Sequence, residues 1–143
     1  MTYKFSQKSL DRLKDVHPEL VGLVHETMNM QIMDFSVNEG VRTLQRQKQL
    51  VAEGKSRTMR SKHLIQSDGY GHAVDLYPSP VNMQAVQRGD AREVLRFGVL
   101  AGVMLSLARR RGILLVHGAD WNGNGQTLDH TFFDAPHFEI VFK

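Results

Sequence analysis

The chain has 143 residues, 18 Lys and Arg against 15 Asp and Glu for a formal charge of +3, 41% hydrophobic residues and no Cys. That length suits a single domain, 1–143, built on one core, and no repeat or low-complexity tract argues otherwise. Without Cys there are no disulfides or thiolate ligands, so any bound metal is held by imidazole and carboxylate, which favours a catalytic site over a structural one.

The first eight residues, Met1 to Lys8, lack the apolar stretch of a secretory signal, so the expected starting compartment is a cytoplasm. Leu10, Leu13 and Val16 recur at helical spacing. Pro18 suits the first turn of a second helix, whose apolar stripe runs through Leu20, Leu23, Val24 and Met28, and all seven apolar residues are expected in the core. Phe35 to Glu39 alternates as a strand. Thr43 then caps a helix carrying Leu44 and Leu50 that ends near Gly54, and the polar, basic residues 55–70 read as a long loop.

In Ala73-Val74-Asp75-Leu76-Tyr77, alternation sends Val74 and Leu76 to one face of a strand and Asp75 to the other. Asp90, with Glu93 three residues on, predicts a capping box for a helix from Ala91 to about Arg111, apolar enough to cross the core. Its most apolar stretch, Phe97 to Ala108, is 12 residues, short of the roughly 20 that a bilayer requires, so no membrane insertion is expected. Arg109-Arg110-Arg111 ahead of Gly112 complements the helix dipole, the alternative being a patch for polyanions. Ile113 to His117 reads as a buried strand. In the last strand Phe138, Ile140 and Phe142 share one face and His137 takes the opposite one. The expected fold class is therefore α+β, a small antiparallel sheet carrying the site and packed against several helices.

Asp75 and His137 both point away from the apolar faces of their strands, so if the strands are neighbours one open sheet face offers both to a single ion. Ser61-Lys62-His63 supplies a second imidazole, and Asp134, three residues before His137, a second carboxylate. Three protein ligands leave zinc's fourth position open for water, and an acid beside it takes the water's proton. Those are the parts of a small zinc hydrolase. His72 rivals His63 as a ligand, although on a regular strand it points away from Asp75.

A second metal is suggested by Asp120-Trp121-Asn122-Gly123-Asn124-Gly125-Gln126. Oxygen side chains at Asp120, Asn122 and Asn124 followed by Gly at the sixth position resemble the opening half of an EF-hand calcium loop; the alternative is a plain Asn-Gly turn. Thr131 stands where the closing Glu belongs, with Asp129 as the substitute. Trp121 reads either as a groove residue or as a core anchor. His117 reads as a satisfied polar residue or a support for the site, and His17, His25 and His130 as structural.

Five segments taken in order carry a resemblance over nearly the whole chain: Gly40-Val41-Arg42-Thr43, Ser61-Lys62-His63, Gly71-His72-Ala73-Val74-Asp75, Gly118-Ala119-Asp120-Trp121-Asn122 and Asp134-Ala135-Pro136-His137-Phe138-Glu139. Together they resemble the zinc D-Ala-D-Ala carboxypeptidase family, and within it the L-alanyl-D-glutamate endopeptidases used as phage endolysins. The resemblance implies His63, Asp75 and His137 as zinc ligands and Asp134 as catalytic base. It also implies Arg42 as an arginine near the substrate that stabilises the oxyanion or pairs with a substrate carboxylate. One departure is the 11 residues between His63 and Asp75, more than the family places there; the extra ones fall around Ile65 to Gly69.

The activity implied is hydrolysis of the L-alanyl-D-glutamate bond of peptidoglycan stem peptides during phage-driven lysis. The enzyme would act as a monomer with no separate wall-binding domain, held in the host cytoplasm until a holin gives access to the periplasm or wall. A D-Ala-D-Ala carboxypeptidase and a non-catalytic zinc-dependent binding module are the alternatives, and Asp134 speaks against the second. No basic motif interleaved with aromatics points to nucleic acid.

Overall fold

A computed structural model describes residues 2–127 and 134–142. Ser6 accepts the N–H of Ser9 and opens α1 (Gln7–Arg12). The helix stops short of the apolar spacing that predicted it, because Asp15 takes a left-handed conformation (φ 62°) and Val16 leaves to pair with Gly71. Leu13 and Val16 are still buried, whereas Leu10 is 38% exposed, a correction to its expected core position. α2 (Pro18–Asn29) starts with proline in its first turn and His17 as cap, Nδ1 accepting the N–H of Glu19. Its buried stripe is Leu20, Leu23, Val24 and Met28.

β1 (Phe35–Glu39) leads to α3 (Leu44–Ala52), capped by Thr43, which accepts the N–H of Arg46. Residues 53–72 contain no helix or strand, in keeping with the long loop expected there. After β2 (Ala73–Pro78), one turn of helix that the sequence reading did not anticipate, α4 (Met83–Gln87), is capped by Asn82. α5 (Ala91–Arg110) is capped by Asp90, but the reciprocal bond of a capping box does not form. The Asp90 N–H is already given to the Ala85 carbonyl at 2.9 Å, and Glu93 turns to Arg96 instead. Nor does α5 cross the core. Phe97, Leu100, Ala101, Met104, Leu107 and Ala108 form one buried stripe, while Leu95 on another side is 66% exposed. At its end Arg111 pairs with Glu26 of α2 at 3.2 Å.

β3 (Leu114–His117) and β4 (His137–Val141) complete an antiparallel sheet of order β1-β2-β4-β3. β3 is an edge strand, so Leu114 is 47% exposed and the strand is less buried than its composition suggested. Phe142 falls just past β4 and packs on the rings of His17 and His72 rather than in the core.

The apolar face of the sheet, with Phe35, Val37, Val74, Leu76, Phe138 and Ile140, shares one core with α2 and α5. The other face carries the polar residues of β2 and β4. A bulge between Val37 and Glu39 adds one more. Phe35 and Val37 pair with Pro78 and Leu76, but the register then slips so that Glu39 stands opposite Asp75. Simple alternation would leave Glu39 on the face of Val37; the extra residue turns it to the polar side.

Candidate metal centre

Asp75 and His137 are direct partners in the β2–β4 register, so pairing of the two strands alone brings them together. His63 arrives from the loop before β2. His72 N–H donates to the Lys62 carbonyl at 2.8 Å and Arg42 N–H to the His63 carbonyl at 2.8 Å, which ties that loop to the strand and to the segment after β1. The extra residues between His63 and Asp75 fold back on themselves: Gln66 N–H donates to Tyr70, Gly69 N–H to Gln66, and Ile65 bridges Gly71. The chain therefore returns to β2 without displacing His63.

Among the described residues one group of His and acid side chains is placed to hold a metal: His63, Asp75 and His137, with ligand atoms within 4.8 Å of one another. Asp75 Oδ1 lies 3.2 Å from His63 Nε2 and 3.3 Å from His137 Nδ1. Two donors each about 2.0 Å from a tetrahedral ion stand roughly 3.3 Å apart, so these spacings fit zinc.

The second nitrogens are also spoken for. His63 Nδ1–H donates to the Gly40 carbonyl at 2.8 Å, and His137 Nε2 is bonded to Glu139 Oε1 at 2.9 Å. Each ring is thereby oriented with its other nitrogen toward Asp75, the outer support that metal-binding histidines use. His72 is not part of the group. Its Nε2 is bonded to Asp68 Oδ2 at 2.8 Å, at the turn of the extra segment.

The site's electrostatics follow from this crowding. Burial opposes the charge of Asp75, yet hydrogen bonds from His137 and His63 outweigh it and hold the carboxyl far below the usual range. Burial likewise disfavours a charged His137, but its bonds to Asp75 and Glu139 raise it to about 9. Asp134 behaves oppositely. Burial and the nearby charge of Asp75 push it up to about 6, with His137, His63 and Arg42 pulling the other way. It is held by a tight turn: its N–H donates to the Gly118 carbonyl, and its carbonyl accepts from His137 N–H at 3.1 Å.

These groups line a cleft of about 470 Å³ shared with Arg42, Trp121 and Glu139. Arg42 is more than a surface ion pair. Its Nε donates to Glu39 Oε1 at 2.6 Å and its Nη2 to the same oxygen, while Nη1 donates to Gln47 Oε1 at 2.7 Å. Trp121 lies in the cleft, its ring tilted on that of His137 at 5.2 Å. His117 is a satisfied polar residue, bonded through Nε2 to the Ala135 carbonyl at 2.6 Å and stacked on Phe138.

The residues that sequence reasoning missed are Glu39 and Glu139. Alternation from His137 places Glu139 on the same face and could have found it, whereas Glu39 depends on the bulge. At the candidate calcium loop, Asp120 accepts N–H groups of Asn124 and Gly125, Asn122 accepts from Asn124 and Asn124 from Gln126, so these oxygens close successive turns of the loop's own backbone. Asp129, His130 and Thr131 lie outside the described residues.

Residues 1–141 match the family described as phage L-alanyl-D-glutamate peptidase. The chain is 29% identical over 147 residues to the L-alanyl-D-glutamate peptidase of Escherichia phage T5, covering 99% of this chain and 100% of that protein. Its structure is similar to the crystal structure of the Serratia marcescens L-Ala D-Glu endopeptidase ChiX, with a TM-score of 0.73, 32% identity, and coverage of 94% of this chain and 86% of that one.

Proposed function

The chain belongs to the phage L-alanyl-D-glutamate peptidase family, and from that premise we propose a zinc-dependent endolysin that hydrolyses the L-alanyl-D-glutamate bond of peptidoglycan stem peptides. Residues 1–143 are its catalytic domain, His63, Asp75 and His137 the zinc ligands, Asp134 the proton acceptor and Arg42 a substrate-side cation. The observation that carries the reading is the convergence of two imidazoles on Asp75 with both outer nitrogens already anchored, to Gly40 and Glu139.

Zinc held by His63, Asp75 and His137 would supply Lewis acidity, making a carbonyl more electrophilic and a water more acidic. The chain's own residues do the rest. Asp134 takes the proton of the attacking water and delivers it to the leaving amine, a role suited to a carboxyl near 6 beside a cleft. Arg42, clamped by Glu39 and Gln47, keeps a guanidinium fixed at the cleft, where it stabilises negative charge on the attacked carbonyl or holds a substrate carboxylate. Trp121 lies against the ring of His137 and forms part of the cleft wall.

Access to the wall through a holin and action as a monomer complete the proposal; no helix among the described residues is long and apolar enough to cross a membrane. Calcium at Asp120, Asn122 and Asn124 is a separable proposal, favoured by their alternating oxygens, and activity unchanged by a calcium-selective chelator removes it.

The test of the main reading is digestion of purified cell walls by chelator-treated and zinc-restored protein, with mass spectrometry of the products. Zinc-dependent appearance of D-glutamate at new amino termini supports it. Release of D-alanine alone points to the carboxypeptidase instead, and zinc binding without any product points to a non-catalytic module.

A further inference from the structure

The segment 55–62 places Lys55, Arg57, Arg60 and Lys62 along the cleft that holds His63, Asp75 and His137. The anionic groups of that cleft come from elsewhere, Asp75 and Glu139 from the sheet and Asp134 from the turn before β4. Charge is thus segregated, with a cationic border supplied by one short stretch of chain. Lys55 pairs with Glu53 at 3.6 Å, whereas among the described residues neither Arg60 nor Lys62 has a carboxylate partner.

This border is built. Gln47, fully buried at 0% exposure, donates to Ser56 Oγ at 2.9 Å and to the Thr58 carbonyl at 2.5 Å while accepting from Arg42 Nη1 at 2.7 Å. The N–H groups of Lys55 and Ser56 donate to the Leu50 carbonyl at 2.8 and 3.2 Å, closing the end of α3. Ser61, itself buried, accepts the N–H of His63 at 3.1 Å. One buried amide therefore links the basic segment to the arginine of the reaction cleft, and the segment's far end is bonded to a candidate ligand.

The chemistry of the bond says what such a border would meet. A glutamate acylated at its amine has two carboxyl groups, and continuation of the peptide consumes only one. Where the peptide continues through the side-chain carboxyl, the other stays on the carbon that bears the scissile nitrogen, as a free carboxylate or, where the wall is amidated, as a neutral amide. We propose that residues 55–62 form the subsite for this leaving-side carboxylate, with Arg60 and Lys62 setting a preference for stem peptides whose glutamate carboxyl is free over those in which it is amidated. The inference rests on the function proposed above and names the substrate class that site selects.

Two synthetic stem peptides differing only in that group, D-glutamate and D-isoglutamine, test it with the zinc-loaded full chain. The wild type is expected to cleave the acid with kcat/KM about tenfold above the amide, mainly through KM, since a charge-assisted contact is lost with the charge. The double variant Arg60→Ala/Lys62→Ala should bring the ratio close to one with zinc content unchanged, and Arg60→Glu/Lys62→Glu should invert it. A second reading needs no variant: the wild-type preference should shrink as salt is raised from about 0.05 to 0.5 M. Equal cleavage of the two peptides by the wild type, or an acid-to-amide ratio that the double variant leaves in place, overturns the subsite alone. Cleavage of neither peptide overturns the proposed function and the subsite with it.

Discussion

Glu139 Oε1 lies 2.9 Å from His137 Nε2, two residues away on the same strand, so β4 supplies both a candidate ligand and the group that orients it. The alternation of a strand makes this automatic, since positions i and i+2 share a face. Replacing Glu139 by Gln keeps the shape but removes the charge that favours a well-oriented, basic imidazole. Zinc affinity, measured by competition with a chromophoric chelator, should fall about 10–100-fold. An affinity equal to wild type would remove Glu139 from the site.

Asp134→Asn separates chemistry from stability. Without a proton acceptor, kcat on stem peptides should drop by about 10²–10⁴ while zinc is still bound. The sign of the stability change is opposite. The folded pKa of Asp134 is raised to about 6 from 3.8, so its contribution is present below 3.8 and lost as pH rises through 6. At pH 7 the buried charge opposes folding, and the chelator-treated variant should melt no lower than wild type, with a gain of up to about 3 kcal/mol. A variant less stable than wild type at pH 7 contradicts this account of the turn.

Chelator-treated wild type should lose stability at both ends of the pH scale. Asp75 is depressed below its ordinary value, so its contribution is present above 3.8 and is lost as pH falls below that. His137 is raised from 6.5 to about 9, so its contribution is complete below 6.5 and disappears as pH climbs through 9. The alkaline loss is at most about 3 kcal/mol. Thermal melts from pH 3 to 10 read both limbs, and saturating zinc should flatten the alkaline one because the metal replaces the proton on Nδ1. A zinc-independent alkaline limb would assign it to another group.

Gly118 is where a single methyl should do harm. A Cβ there would stand 2.0 Å from the Asp134 carbonyl oxygen, and the two residues are also joined by the Asp134 N–H bond to Gly118. Gly118→Ala should cost about 3 kcal/mol or more in a denaturant titration and weaken zinc binding, because the turn that must move carries Asp134 and His137. Gly102, whose added Cβ meets nothing within 4 Å, serves as the control.

Much of the fold could be read along the chain because its signals are local. Pro18, Thr43 and Asp90 mark helix starts where the structure has them, and alternation around Asp75 and His137 separates polar from apolar faces as the sheet does. Expectations failed where a distant partner decided. Leu10 lies within α1 yet is exposed, because which side of that short helix meets the core is set by the segments it packs on, and Glu93 leaves its capping role because Ala85 has already taken the Asp90 N–H. α4 was missed because five residues make a single turn, too short for periodicity to register.

The amino-acid order by itself determined which residue types were available for a metal, through the lack of Cys, and that Asp75 and His137 turn away from the core, through a period of two. Only the tertiary structure decided that β2 and β4 are neighbours in the register that pairs them, that His63 rather than His72 reaches Asp75, and that a bulge swings Glu39 toward Arg42. The physical reason is range. Face and cap preferences are set by bonds between residues a few positions apart, whereas register, loop closure and bulges depend on hydrogen bonds between segments that meet only once the core has formed.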